Sequence, residues 1–229
     1  MNAEIQQTAL RYRNLIAHIV RGKEKEIAEK SFFHCHCVGV HSLLFDDTPG
    51  ARIRLFLATQ QHELWKNALI PCDPTRGMRG GLAYSLSVGF HPHHCDIELE
   101  CIVGAFTSVH ANVLAPWRDP ETMLGMYRYE SQITSGACHF SFEGQANLGF
   151  ASYSRAVGDS LFLPAAQLHT IYVPAGERAA WFVHEGAEDP TYQPMTYSNA
   201  DLTTFDTSQL YKSVSVCEMR NLLHEFGLL

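Results

Sequence analysis

The run Phe90-His91-Pro92-His93-His94-Cys95-Asp96-Ile97-Glu98 is the densest group of metal-binding residue types in the chain. Histidines two residues apart on an extended segment project from one face, so the imidazoles of His91 and His93 can reach one ion. If that strand simply continued, Glu98 would face the other way. A further histidine, His169, stands apart in Gly158-Asp159-Ser160-Leu161-Phe162-Leu163-Pro164-Ala165-Ala166-Gln167-Leu168-His169. There Gly158-Asp159 suits a tight turn and Leu161–Leu163 a short buried strand. Pro164 ends ladder donation, and His169 leads the β-prone run Thr170-Ile171-Tyr172-Val173.

The Gly158–His169 segment resembles the second sequence motif of the cupin barrels. His91-Pro92-His93 with Glu98 is similar to their first motif, in which two histidines one residue apart are followed, after four more residues, by an acid. The resemblance covers about residues 84–185 and implies a mainly β fold, a cupin-type double-stranded β-helix or jelly roll with N- and C-terminal helices packed outside. It also implies that a turn or bulge at His94-Cys95-Asp96 brings Glu98 onto the ion of His91 and His93, with His169 completing the set. Three histidines and a carboxylate suit Fe(II), Mn(II), Ni(II), Zn(II) or Cu(II). The activity implied is that of a metal-dependent enzyme acting on a small polar molecule, with an Fe(II) dioxygenase as the leading reading and a lyase or isomerase as alternatives. A homodimer is the family's usual assembly.

The chain departs from the cupin pattern in three places. Ser85 stands where the first motif usually opens with glycine, the closing glycine falls at Gly104, and 75 residues separate His93 from His169. Cupin thiol dioxygenases tolerate a long separation, and Glu98–Gly104 loosely resembles theirs; an added hairpin would fill the gap. A second register takes Phe142–Gly149 as the turn closing the first motif. It puts Glu130 and Gln132 at the histidine positions and Ala137 at the acid, leaving His139 and His169 as a weak pair. Spacing favours this register, ligand chemistry the first, and the second describes a metal-free cupin that serves as a small-molecule-binding or interaction module.

Other residues have narrower readings. Arg76 and Arg79, in the glycine-rich loop Thr75–Gly81, can grip a substrate carboxylate if that loop covers the barrel mouth, and His139 joins them as a candidate substrate contact. Without a Walker spacing this loop is no phosphate cradle. His34 and His36 alternate with Cys35 and Cys37, which fits either a second, softer metal site or half-buried strand residues. Asp159 fits a turn cap better than a substrate contact. Tyr127, Tyr129 and Tyr153 read as barrel lining. No nucleophile elbow is present.

The elements that must position these groups follow from periodicity. Glu4–Lys30 and Ser213–Phe226 carry apolar residues at helical spacings, the latter ended by Gly227. Phe33–Phe45 and Arg52–Leu57 alternate with period two around Asp46–Gly50, a hairpin. Gln60–Ala68 suits one short helix. Strand-like runs follow at 84–90, 97–103, 108–113, 126–133, 138–142, 150–153, 161–163, 170–173 and 180–183, a spacing that suggests a barrel or sandwich. The expected organisation is a helical segment at 1–30, a β-barrel at 31–195 and a helical segment at 196–229.

Composition narrows the function classes. The chain has 229 residues, 46% hydrophobic and 18% charged, enough for one substantial core or two small ones. A net charge of −7 provides no basic footprint for nucleic acid. No apolar run approaches the roughly 20 residues that span a bilayer, and there is no signal-peptide pattern. Seven scattered cysteines, an odd number, suit reduced thiols. A cytoplasmic protein with a small-molecule substrate is expected.

Overall fold

The computed structural model describes residues 3–36, 39–58, 89–114, 123–129, 140–173, 177–189, 191, 195–198, 201–204 and 210–229. The fold is mainly β with a helix pair at one end of the chain and a helix at the other. Helix α1 (Ala3–Val20) and α2 (Glu24–Glu29) replace the single helix expected over Glu4–Lys30, because Gly22 takes φ +78° and breaks it. At the other end α3 (Val216–Glu225) starts at a capping box in which Ser215 and Glu218 satisfy each other's backbone.

The strands are β1 (Phe32–Phe33), β2 (Val40–Asp46), β3 (Arg52–Ala58), β4 (Ile97–Val113), β5 (Met123–Tyr129), β6 (Phe140–Ala156), β7 (Ser160–Leu163), β8 (Leu168–Tyr172), β9 (Ala179–Glu185), β10 (Met195–Ser198) and β11 (Lys212–Ser213). Their pairings are antiparallel. Strand β4 belongs to two sheets. Its first half lies between β7 and β9, continuing through β3, β2, β1 and β11, and its second half lies between β6 and β8. The two strands expected at 97–103 and 108–113 are thus one. It is bulged at Cys101–Val103 and turned at Gly104, where φ is +65° and a Cβ would lie 2.0 Å from the Arg178 carbonyl oxygen.

The second sheet closes on itself. From β4 the pairing runs through β6, β5 and β10, then by the bridge Phe90↔Tyr197 to the Phe90-His91 segment, and by His91↔His169 to β8 and back to β4. Phe90 is fully buried against Val109, Leu124, Leu148, Leu168 and Tyr197, and burial of such a side chain is worth ~2–3 kcal/mol. Its neighbour His91 is therefore anchored from the adjacent position. On the outer side of the first sheet, Tyr12, Ile16, Val20 and Ile27 of the N-terminal helices and Met219, Leu222 and Leu223 of α3 share one core with Leu43, Leu55, Leu57 and Phe182. Helices covering a sheet are what the amphipathic periods predict.

The long separation between the two motifs is taken up by β4 and by the antiparallel pair β5–β6, the extra hairpin that the spacing requires. Gly144 and Gly149 lie inside β6, opposite Met126 and Asn112, so Phe142–Gly149 is a strand and not the turn on which the second register depends. The other positions of that register, Glu130, Gln132 and Ala137, lie outside the described residues, as do Arg76, Arg79, His139 and the stretch Gln60–Ala68. Among the described residues, no helix is long and apolar enough to cross a membrane.

Candidate metal centre

Three elements bring three histidines together. His91 sits in the closing bridge, exchanging backbone hydrogen bonds with His169 at 3.1 and 3.2 Å, and Pro92 then ends the ladder. His93 follows in the loop, where its N–H donates to the Ala165 carbonyl at 2.9 Å, inside the turn that precedes β8. His169 is buried on β8, opposite His110 of β4. The ring centroids are 5.3 Å apart for His91–His93, 5.6 Å for His91–His169 and 5.0 Å for His93–His169. One ring nitrogen from each lies within 4.8 Å of the other two.

Secondary contacts fix which nitrogens face inward. His91 Nδ1 lies 3.1 Å from the Gly89 carbonyl, a pure acceptor, so Nδ1 carries the proton and donates while Nε2 keeps its lone pair. Gly89 can make that approach because it takes φ +77°, and a Cβ there would sit 2.2 Å from the Tyr197 carbonyl oxygen. His169 Nδ1 lies 3.4 Å from Ser108 Oγ, which is 3.1 Å from His110 Nε2; Ser108 is buried, and the His110 ring leans on Tyr153. His169 Nε2 in turn faces His93 Nε2 at 2.8 Å.

Burial keeps this set neutral. It lowers the pKa of His91 against the opposing effect of the Gly89 hydrogen bond. His93 is pulled to about 3 by burial, then by His91 and His94, and His169 falls well below the ordinary value through burial and then its histidine neighbours. Neutral imidazoles with free lone pairs are the ligand form of histidine.

Glu98 is not brought into this group. The bend at His94-Cys95 does reset the alternation, but it turns Ile97, Leu99 and Cys101 inward and leaves Glu98 exposed between them. The acid spacing of the first motif is present while its side chain faces the wrong way. Asp159 accepts from the Ala156 N–H at 2.8 Å and so caps the turn at Gly158.

A fourth imidazole approaches from outside the two motifs. The alternating strand expected over Phe33–Phe45 is broken after Phe33 and resumes at Val40; His34 and His36 take φ +58° and +65°, and the segment bends there instead. His34 then packs beside His41, while the His36 ring reaches within 4.8 Å of the His91 ring. Tyr211 Oη lies 3.0 Å from His36 Nδ1. Burial, then His91, His93 and Arg54, hold His36 well below the ordinary histidine range. Sequence spacing offers no signal for Ser108 or Tyr211, and only the His34/His36 alternation marked His36.

No family model and no curated protein sequence matches the chain. Solved structures similar to it include hydroquinone 1,2-dioxygenase from Sphingomonas sp. TTNP3 with 4-hydroxybenzoate bound, at 11% identity over 75% of this chain and 73% of that one, TM-score 0.31. The polyketide cyclase RemF from Streptomyces resistomycificus is similar at 11% identity over 78% and 84%, TM-score 0.35. Hydroxypropylphosphonic acid epoxidase from S. wedmorenis is similar at 8% identity over 69% and 56%, TM-score 0.31.

Proposed function

We propose that this chain is a metal-dependent enzyme of the cupin type in which His91, His93 and His169 hold one divalent ion, Fe(II) in the leading reading, for a dioxygenase reaction on a small polar molecule. The observation that carries this reading is the approach of three ring nitrogens to within 4.8 Å of one another. The donor set fits such an ion: three neutral imidazoles, His169 buried and His91 and His93 half-buried, two of them with Nδ1 engaged by Gly89 and Ser108 so that Nε2 is left to bind. When bound, iron would polarise the substrate and supply the one-electron steps that O2 chemistry needs.

The chain's own residues do the rest. The backbone bridge between His91 and His169 holds two of the rings in register, and buried Phe90, Val109 and Leu168 give their wall an apolar, water-poor lining. Among the described residues no carboxylate joins the histidines, so these three neutral ligands would leave the ion's charge to be balanced by a further, anionic donor.

The test is elemental analysis of protein purified without chelator, followed by oxygen uptake after iron loading. Near-stoichiometric metal that is lost in His91→Ala and His169→Ala supports the reading. Absence of metal, with both variants behaving as wild type, overturns it and favours the metal-free binding module.

A further inference from the structure

The three non-glycine residues with positive φ among those described are His34, His36 and Tyr211, and two of them are the partners of a single hydrogen bond. Left-handed backbone is uncommon outside glycine, although histidine takes it more readily than most residues, and it persists where the surrounding structure holds it. Here two strained segments far apart in the chain, tied by Tyr211 N–H to the His34 carbonyl at 3.2 Å, meet side chain to side chain beside the histidine cluster. The His36 ring lies 4.8 Å from that of His91, closer than any of the three cluster rings lie to one another. Yet its nitrogens are not in the group that converges within 4.8 Å, so His36 stands beside the ligand face and not in it.

The hydrogen bond decides what His36 offers. A phenol is the better donor and a neutral imidazole nitrogen the better acceptor, so Tyr211 donates to Nδ1 and the ring proton sits on Nε2. Among the described residues Nε2 has no hydrogen-bond partner. Arg54, ion-paired with Glu185 at 2.7 Å, lies near enough for its charge to act on the His36 ring.

Building on the metal-centre reading above, we propose that His36, oriented by Tyr211, donates its Nε2–H to an anionic oxygen of the small molecule bound over the open side of the three-histidine face. His36 is then a substrate-binding residue and Tyr211 a positioning residue. The ligand class is an oxyanion chelator such as a carboxylate, hydroxamate or enolate.

The test uses the full chain loaded with Co(II) and titrated with acetohydroxamate, followed by the visible absorption of cobalt. His36→Gly removes the ring and suits the left-handed backbone, so loss of the contact is separated from loss of the fold. We expect His36→Gly to retain one cobalt and to melt no lower than wild type. Its acetohydroxamate dissociation constant should rise about tenfold or more, the loss of one hydrogen bond to a charged oxygen. Tyr211→Phe should weaken acetohydroxamate in the same direction by less, and imidazole, which has no anionic oxygen, should bind wild type and His36→Gly alike. Cobalt retained with acetohydroxamate affinity unchanged in both variants overturns this inference alone. Cobalt lost from His36→Gly makes His36 a ligand and overturns it as well. A wild-type chain that binds no cobalt overturns both this inference and the reading on which it rests.

Discussion

His93 Nε2 and His169 Nε2 lie 2.8 Å apart although 76 positions separate them in the chain. Two nitrogens bound to one ion at ~2.1 Å in adjacent positions lie about 3 Å from each other, so this spacing is close to that of a shared site. In the metal-free protein the same pair is a hydrogen bond with the proton on one ring. The fold brings the pair together through backbone contacts on both sides: His93 N–H to Ala165 before β8, and the two-way bridge between His91 and His169.

Glu98 and His169 make opposite predictions. Glu98→Gln should leave zinc or cobalt affinity unchanged, because its side chain is exposed on the far side of a strand whose inner face is Ile97 and Leu99. His169→Ala should lower that affinity by at least about a hundredfold, since it removes one of three nitrogen donors and opens a buried gap. Isothermal titration of both variants with the same metal checks the pair together.

Ser108 is buried and close to the far nitrogen of His169, which it can hold in the Nε2-binding tautomer. Ser108→Ala should weaken metal binding by about 10- to 100-fold with little loss of fold, the usual scale for a partner behind a ligand. His110→Ala, one step further away, should have a smaller effect. Competition against a chromophoric chelator measures both.

His41 is buried on β2 and accepts the His34 N–H on Nδ1 at 3.4 Å; burial, then His34, pulls its pKa to about 3. Between that value and the unfolded one near 6.5 the unfolded chain holds a proton that the native state lacks. Stability therefore rises with pH through this window, is lost on acidification, and is flat in this group's contribution above it. Each such group adds a slope of ~1.4 kcal/mol per pH unit. Urea unfolding of the metal-free protein between pH 4 and 7 should show a slope that His41→Gln reduces by about one proton.

Gly104→Ala places a Cβ 2.0 Å from the Arg178 carbonyl oxygen at φ +65°, where backbone and not a flexible side chain must move. The variant should lose at least about 2 kcal/mol, read as a lower denaturation midpoint. Gly22→Ala, with positive φ and open space around it, should cost about 1 kcal/mol or less.

Much of the fold was legible in the residues. Period-two runs located β2 and β3, β-prone runs located β8 and β9, and the Gly158–His169 segment folds as the turn, strand, turn and strand that its glycine, proline and β-prone residues describe. Breaks were less legible: Gly22 divides a helix whose apolar period continues across it, whereas Gly104 bends a strand without ending it, because neighbouring strands hold both halves. In the site, the i, i+2 spacing identified His91 and His93 although Pro92 ends the pairing after the two isolated bridges at Phe90 and His91. The direction of Glu98 depended on how many residues the bend at His94-Cys95 consumes, which spacing alone does not state. His36 and Tyr211 meet through left-handed backbone that no periodicity encodes.

The most direct test is anomalous scattering from a crystal of metal-loaded protein, collected on both sides of the metal's absorption edge. One peak is expected, bounded by the rings of His91, His93 and His169, with nitrogen-to-metal distances of about 2.0–2.2 Å and Glu98 remote from it. A peak at other residues, or none between these three rings in protein shown to carry metal, would contradict a three-histidine centre.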